Sequence, residues 1–269
     1  MLLKMLSWNV NGLRALAKKP EWQWLLQTDA QIVGLQETKA APGQIEKEIA
    51  DWQGWQYWLD SSSVKKGYSG VAIFSELEPL KVTAQLPDAR YQGEGRLLHA
   101  EYPDFHYFNG YFPNGGAPEL NEDGIFTGNF KRLPYKLGFL EKFLEIAAAC
   151  AKTKPVIVSG DFNIAAQPID LAHPEENAAM SGFLPIEREW MDKFLAAGFV
   201  DSFRYVHGDI PGQYTWWSYQ NFARKRNNGW RLDYFFVSKN FAHAIKDAQI
   251  YADVKGSDHC PVGITLDIP

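Results

Sequence analysis

Residues 157–166 read IVSGDFNIAA. Ile157 and Val158 sit in an apolar run, Val156–Ser159, that reads as a buried strand. Ser159 and Gly160 end it, and Asp161 and Asn163 follow on either side of Phe162. Gly, Asp and Asn all favour turns, so turn chemistry alone accounts for a carboxylate and a carboxamide two residues apart. A functional reading requires other stretches that place polar groups in the same way.

The strand at 156–159 has company. Leu2–Trp8, Ile32–Leu35, Gly70–Phe74, Leu97–Tyr102, Tyr107–Phe112, Leu232–Val237 and Val262–Leu266 are short runs rich in aliphatic and aromatic residues, the pattern of buried strands. YPDF at 102–105 reads as a hairpin turn between two of them. Helical spacing marks residues 20–29, 44–52, 133–152 and 184–198. In the last, Leu184, Ile186, Trp190, Phe194 and Leu195 form an apolar stripe, with Pro185 and Gly198 as punctuation. The two kinds of element do not alternate as in a barrel or a doubly wound sheet, and no repeat or linker tract interrupts them. A layered α/β fold in one domain, 1–269, is the expectation. The longest irregular stretches, 113–132 and 164–183, are candidates for functional loops.

Composition excludes several classes. A formal charge of −5 rules out a globally basic nucleic-acid binder, though not a local basic face. The two cysteines, Cys150 and Cys260, lie far apart in no metal-like spacing, so a disulfide framework is not expected and a reducing compartment fits. The stretch MLLKMLSWNVNG lacks the apolar core of a signal peptide, and no window approaches the ~18 apolar residues of a membrane span. These features predict a soluble cytoplasmic protein.

Polar groups collect where other strands end. Asn9 and Asn11 follow the first run, and Glu37 the second. Tyr111 and Asn114 close a third, Asp233 interrupts a fourth, and Asp258 and His259 precede the last. Each alone has a plain reading as a turn, cap or structural residue. Taken together they form a set of oxygen and imidazole groups without a thiolate, on the strand-end loops where layered proteins carry function. Hard oxygen ligands suit Mg²⁺ or Mn²⁺, which take one or two carboxylates and a substrate phosphate. Glu37 is the first ligand on this reading, with Asp258 and Asn9 as neighbours. An Asp233–His259 pair fixes the imidazole tautomer and leaves its second nitrogen for a phosphate. Asp161 would align and deprotonate a water, Asn163 would steady it, and Tyr111 and Asn114 would hydrogen-bond the phosphate as charge develops.

LSWNVNGLRA, LQETK, GYSGVAIFS, NGYFPNGG, SGDFNIA, TWWSY, GWRLDYFFVS and GSDHCPVG, in that order from Leu6 to Gly263, resemble the motifs of exonuclease III-type apurinic/apyrimidinic endonucleases. GDFN and SDH alone point only to the wider superfamily, with DNase I and inositol-polyphosphate phosphatases. WNVNGLRA, QETK and GWRLDYF are specific to the apurinic branch. The resemblance implies a four-layered α/β sandwich of two packed, mainly antiparallel sheets flanked by helices. It implies Mg²⁺-dependent hydrolysis 5′ to an abasic residue in duplex DNA, leaving a 3′-hydroxyl, with 3′→5′ exonuclease and 3′-end cleaning as companion activities. It carries over Asn9, Glu37, Tyr111, Asp161, Asn163, Asp233, Asp258 and His259. One Mg²⁺ at Glu37 and Asp258 is the preferred arrangement, with a second near Asp161 and Asn163 as the alternative.

For DNA the resemblance assigns Trp216, Trp230 and Leu232 to a pocket for a flipped abasic sugar, and Lys39, Tyr68, Arg96 and Asn114 to the backbone. Arg224, Lys225, Arg226 and Arg231 lie among aromatics in a loop suited to gripping a duplex, whereas Trp217 reads as core. The expected partner is duplex DNA with abasic sites or blocked 3′ ends, bound by a monomer that associates with the nucleoid and not with a membrane. Two features depart from the family: Asn11 stands where some relatives carry Asp, and residues 116–132 form a long acidic stretch that would reshape the DNA groove. A non-specific nuclease or a phosphatase of the same superfamily is the competing reading. A catalytically dead binding module is disfavoured because Glu37, Asp161, Asp233 and His259 are all present.

Overall fold

The structure, a computed structural model, describes residues 1–49, 52, 54–122 and 126–268. In chain order the strands are β1 (Leu2–Asn9), β2 (Ile32–Gln36), β3 (Gln56–Asp60), β4 (Val71–Ser75), β5 (Lys81–Ala84), β6 (Leu97–Glu101) and β7 (His106–Tyr111). They continue as β8 (Pro118–Leu120), β9 (Phe126–Phe130), β10 (Val156–Asp161), β11 (Phe199–Asp201), β12 (Asp233–Ser238), β13 (Ile245–Ile250) and β14 (Val262–Asp267). The helices are α1 (Leu13–Leu16), α2 (Pro20–Leu26), α3 (Leu133–Cys150), α4 (Pro185–Ala196) and α5 (Ser202–His207).

Two six-stranded sheets form, ordered β13-β14-β1-β2-β4-β3 and β11-β12-β10-β7-β6-β5. Each is antiparallel except for one central parallel pair, β1 with β2 and β10 with β7. Period-two alternation explains the layering. Leu3 and Met5 of β1, Ile157 of β10 and Phe235 of β12 face the space between the sheets. Leu6 and Trp8 point the other way and pack with Leu13, Trp22 and Leu25 of α1 and α2. Val156 and Val158 likewise meet Phe139 and Phe143 of α3 and Phe194 of α4. Strands buried on both faces read as continuous apolar runs, and that is why they were legible. The result is the expected four-layered sandwich. Among the described residues no helix is long and apolar enough to cross a membrane.

Some expectations need correction. Residues 44–49 run as bends and turns, not a helix, although Ile45, Ile49 and Trp52 are buried as their spacing suggests; residues 50 and 51 lie outside the described set. Ile186 is 47% exposed and leaves the apolar stripe of α4. The inward positions are taken by Met191 and by Glu187, an acid buried against Lys136 of α3 at 2.6 Å. In the acidic stretch 116–132, β8 pairs antiparallel with β9 and Arg132 N–H bonds the Gly115 carbonyl at 2.8 Å, while residues 123–125 lie outside the described set. YPDF makes the hairpin turn, with Tyr102 N–H bonded to the Phe105 carbonyl at 2.9 Å.

Candidate active site

The two parallel pairs bring their C-terminal ends to the same edge of the sandwich. In the second sheet Asp161 is in register with Tyr111 on one side and Asp233 on the other. In the first, Asn9 is in register with Gln36, and Glu37 follows. Gly160 allows the first of these placements. Its φ is +139°, and a Cβ there would stand 1.9 Å from the Gly110 carbonyl oxygen, so only glycine lets β10 approach β7 this closely. Asn11, Glu37, Lys39 and Asn163 all have φ between 47° and 52°. Positive φ is uncommon outside glycine, more so for Glu and Lys than for Asn, and the surrounding bonds hold it here. Gly12 N–H binds the Glu37 carbonyl at 2.8 Å, and Lys39 N–H binds Ser69 at 2.9 Å.

Asp233 and His259 form a buried carboxylate–imidazole pair in one half of the site. His259 Nδ1 lies 2.8 Å from Asp233 Oδ2, which also accepts from Thr215 Oγ1 at 2.6 Å. The other ring nitrogen, Nε2, faces Asp161 Oδ2 at 3.8 Å. Asp161 accepts from the Asn163 backbone N–H at 2.8 Å, from Asn9 Nδ2 at 2.9 Å and from Asn163 Nδ2 at 3.3 Å. Burial raises the Asp161 carboxyl to about 7, opposed by the charge of His259 and reinforced by that of Asp233. For His259 burial works in the opposite direction, but the carboxylates of Asp233 and Asp161 prevail and lift it to about 10. The pair is therefore a buried imidazolium facing a carboxyl poised near neutrality.

Glu37 anchors the other half. Its carboxylate accepts from Asn9 Nδ2 at 3.2 Å and pairs with Lys39 Nζ at 2.9 Å. Burial pushes Glu37 up, but Lys39 and hydrogen bonds from Tyr111 and Asn9 hold it below its ordinary value. Lys39 also donates to Asn11 Oδ1, and Asn11 Nδ2 donates to Asp258 Oδ1 at 2.9 Å. Asp258 is held low against burial by His259, Asn11 and Trp216. The chain of contacts thus runs unbroken from Asp258 through Asn11, Lys39, Glu37 and Asn9 to Asp161. Asn11 and Lys39 together bridge the two acids, Asp258 and Glu37.

Arg96 is 4% exposed. It donates to the Tyr111 carbonyl at 3.0 Å and the Tyr68 hydroxyl at 2.7 Å, pairs with Glu94 at 2.6 Å and lies 4.8 Å from the Tyr111 ring centre. Arg96 and Tyr68 hold Tyr111 in place. Asn114 is exposed, and its amide oxygen accepts from Gly116 N–H at 3.0 Å.

Trp216 and Trp230 are half-buried, their ring centres 6.4 Å apart and nearly perpendicular, over Leu232, Leu171 and Phe183. Trp216 Nε1 donates to Asp258 Oδ2 at 3.2 Å, fastening this apolar corner to the acidic cluster. Trp217 is 3% exposed and belongs to the interior. The basic loop is less basic on its surface than its sequence suggests. Arg231 is buried against Asp170 and Asp201, each at 2.7 Å. Arg224 is spent on the carbonyls of Ala252, Val254 and Ser257. Lys225 and Arg226 remain exposed.

Two supports went unnoticed in the sequence. Thr215 Oγ1, besides donating to Asp233, accepts from the Leu232 and Asp233 backbone N–H groups at 2.9 and 3.0 Å. Lys136 Nζ donates to the Asn163 carbonyl at 2.8 Å while Glu187 accepts from Ser181 and from the Gly182 and Leu184 backbone. A signal for the second existed: Lys136 occupies an inward position on α3, three and seven residues before Phe139 and Phe143.

Comparison with known proteins agrees with this geometry. Residues 6–259 match the Endonuclease/Exonuclease/phosphatase family. The chain is 43% identical over 267 residues to an exodeoxyribonuclease of Bacillus subtilis, covering 99% of this chain and 100% of that one. It is 38% identical to the DNA repair nuclease APEX1 of Danio rerio, over 99% of this chain and 83% of the relative. Among solved structures, the 3′ phosphatase NExo from Neisseria bound to a product DNA hairpin superposes with a TM-score of 0.87 at 28% identity, covering 99% and 100% of the two chains.

Proposed function

The chain belongs to the Endonuclease/Exonuclease/phosphatase family and is a nuclease of the DNA repair type, and from that premise we propose that it hydrolyses the phosphodiester 5′ to an abasic residue in duplex DNA with Mg²⁺ as cofactor. The observation that carries this reading is the Asp233–His259 pair at 2.8 Å aimed at Asp161, beside a half-buried Trp corner fastened to Asp258. The first element is phosphoester chemistry. The second is an apolar corner that would receive an extruded sugar and not a stacked nucleotide.

Water attacks the phosphorus and passes its proton to Asp161, whose position near neutrality suits a general base. Asn163 holds the carboxylate by its backbone and side-chain amides. His259, protonated and oriented by Asp233, donates from Nε2 to a phosphate oxygen as charge builds there. Tyr111 and Asn114 add hydrogen bonds. The bond to the 3′ oxygen breaks, that oxygen takes a proton from solvent water, and the upstream strand ends in a 3′-hydroxyl while the new P–O bond leaves a 5′-phosphate on the abasic residue.

The donors fit a hard cation. Glu37 already carries a positive charge, the Lys39 ammonium, at 2.9 Å, and Asn9 and Asp258 supply further oxygens within the same chain of contacts. The trio Asp161, Asp233 and His259 also groups its ligand atoms within 4.8 Å, but Nδ1 and Asp233 are committed to each other. Glu37, with Asp258 and Asn9, is therefore the proposed Mg²⁺ position, where the ion supplies charge against the developing phosphate negative charge. Lys39, displaced from Glu37, and the exposed Lys225 would meet the DNA backbone, while Arg96 and Tyr68 act on DNA through Tyr111. Relatives named for exonuclease and 3′ phosphatase activity support 3′-end processing in the same cleft. The test is cleavage of abasic, 3′-blocked and intact duplexes side by side, with Mg²⁺ and with chelator. The proposal requires metal-dependent incision of the abasic duplex and little of the intact one; equal cutting of both duplexes, or none of either, overturns it.

A further inference from the structure

A second group of ligating side chains lies away from the cleft. His106 begins β7, whose last residue is Tyr111; at ~3.3 Å per residue the two stand roughly 17 Å apart along the strand. Pairing of His99 with Phe108 and of Glu101 with His106 sets all four residues on one face of the sheet. Cys150, the last residue of α3, reaches the same face. His99 Nε2 and His106 Nδ1 are 3.0 Å apart, and the ligand atoms of His99, His106 and Cys150 all lie within 4.8 Å of one another.

The hydrogen bonds fix which nitrogen carries a lone pair. Thr153 Oγ1 donates its proton to the Cys150 carbonyl at 2.8 Å, so it must accept from His106 Nε2–H at 3.3 Å. His106 Nδ1 is then unprotonated and points at His99. A neighbour that orients the outer nitrogen in this way is a common support of metal-bound histidine. Two nitrogens on one tetrahedral zinc, at ~2.0–2.1 Å each, stand about 3.3 Å apart, so the ring pair need open only slightly. Burial keeps both imidazoles neutral, lowering His99 to about 4. The Glu101 carboxylate faces all three groups, is itself paired with Lys154 at 2.7 Å, and balances the charge of a cation; Lys81 is the other charged neighbour.

We propose that His99, His106 and Cys150 bind a borderline-soft divalent cation, Zn²⁺, through two nitrogens and a thiolate, fastening the end of α3 to β6 and β7. Binding releases the Cys150 thiol proton to solvent, and His99 moves its remaining ring proton to Nδ1. Glu101 or a water fills the fourth position. The nitrogen and sulfur donors separate this site from the oxygen ligands of the cleft.

Full-length protein stripped with chelator tests this with Co²⁺ as the spectroscopic probe and Zn²⁺ in competition with a chromophoric chelator. A sulfur-to-cobalt charge-transfer band should appear at one equivalent and disappear on adding Zn²⁺. It should be absent in Cys150→Ser and Cys150→Ala, both at a half-exposed helix end. Zn²⁺ affinity should fall at least about tenfold in His99→Gln, no less than the loss of a supporting group costs, and stay unchanged in Glu37→Gln. Zn²⁺ should raise the melting temperature of the wild type more than that of the Cys150 variants, whose melting without metal reports that they fold. Absence of the band, its survival in both folded Cys150 variants, or Zn²⁺ binding lost in Glu37→Gln and kept in His99→Gln would overturn the proposal.

Discussion

Asp233 closes the start of β12 in one sheet, His259 precedes β14 in the other, and the two meet at 2.8 Å across the sandwich. Neither sheet could form this contact alone, so the acid–base pair exists only when both are docked. The bond also fixes the imidazole: Nδ1 is committed to Asp233, and Nε2 is left for the cleft and Asp161.

Thr215 holds Asp233 from behind, and its removal tests whether that hold matters. Thr215→Val deletes the 2.6 Å hydrogen bond to a buried carboxylate, an interaction worth about 1.5–3 kcal/mol. Turnover should fall by about ten- to a hundredfold at ~1.4 kcal/mol per tenfold, with KM little changed and the His259 titration displaced. Full turnover with an unmoved titration would make Thr215 a packing residue.

Burial raises Asp161 from 3.8 to about 7. A folded pKa above the unfolded one means that stability is complete at low pH and is lost as pH rises through the folded value. Asp161→Asn removes that loss. In chelator, the variant's melting temperature relative to wild type should therefore climb by several degrees between about pH 4 and pH 7. A difference that stays flat across this window contradicts the assignment of Asp161 as a desolvated carboxyl.

Glu37→Gln should raise the Mg²⁺ concentration needed for half-maximal rate, because a carboxylate already paired with a cation is replaced by a neutral amide. Mg²⁺ titration of the cleavage rate measures this. Wild-type activity that persists in chelator rules out the metal altogether.

Much of this was legible in the chain. The strands buried on both faces declare themselves as continuous aliphatic and aromatic runs, and Asp161, Glu37 and His259 stand out because each follows or precedes such a run. What was hidden is three-dimensional. β3, β5 and β13 mix apolar residues with exposed polar ones such as Gln56, Lys81 and Lys246, so they form no long continuous apolar run. Arg231 and Arg96 read as surface cations, yet each is neutralised in the interior, Arg231 by Asp170 and Asp201, distant in sequence, and Arg96 by its neighbour Glu94. Ile186 followed the helical spacing but points outward, since buried Glu187 fixes the rotation of α4 through Lys136.

In the proposed function, selectivity rests on Trp216 and Trp230. If they wall the recess for an extruded sugar, alanine at either removes contacts worth ~1–3 kcal/mol. Discrimination between abasic and intact duplex should drop by about one to two powers of ten, while processing of an open 3′ end falls less. Lys225→Ala should instead weaken all duplexes alike and flatten the salt dependence. Values of kcat/KM on matched duplexes at two salt concentrations separate the cases. Equal losses on both substrates in the Trp variants would assign these rings to the fold.

The most direct test of the central claim is single-turnover incision of a duplex carrying one abasic residue, by wild type and by Asp161→Asn at saturating enzyme with Mg²⁺, with the product ends mapped. The account predicts a cut on the 5′ side of the lesion that leaves a 3′-hydroxyl. It also predicts that Asp161→Asn binds the same duplex nearly as well but cuts it at least ~10²-fold more slowly, the usual contribution of a placed general base. A cut 3′ to the lesion, or an Asp161→Asn rate within a few-fold of wild type, would contradict it and return GDFN to a turn.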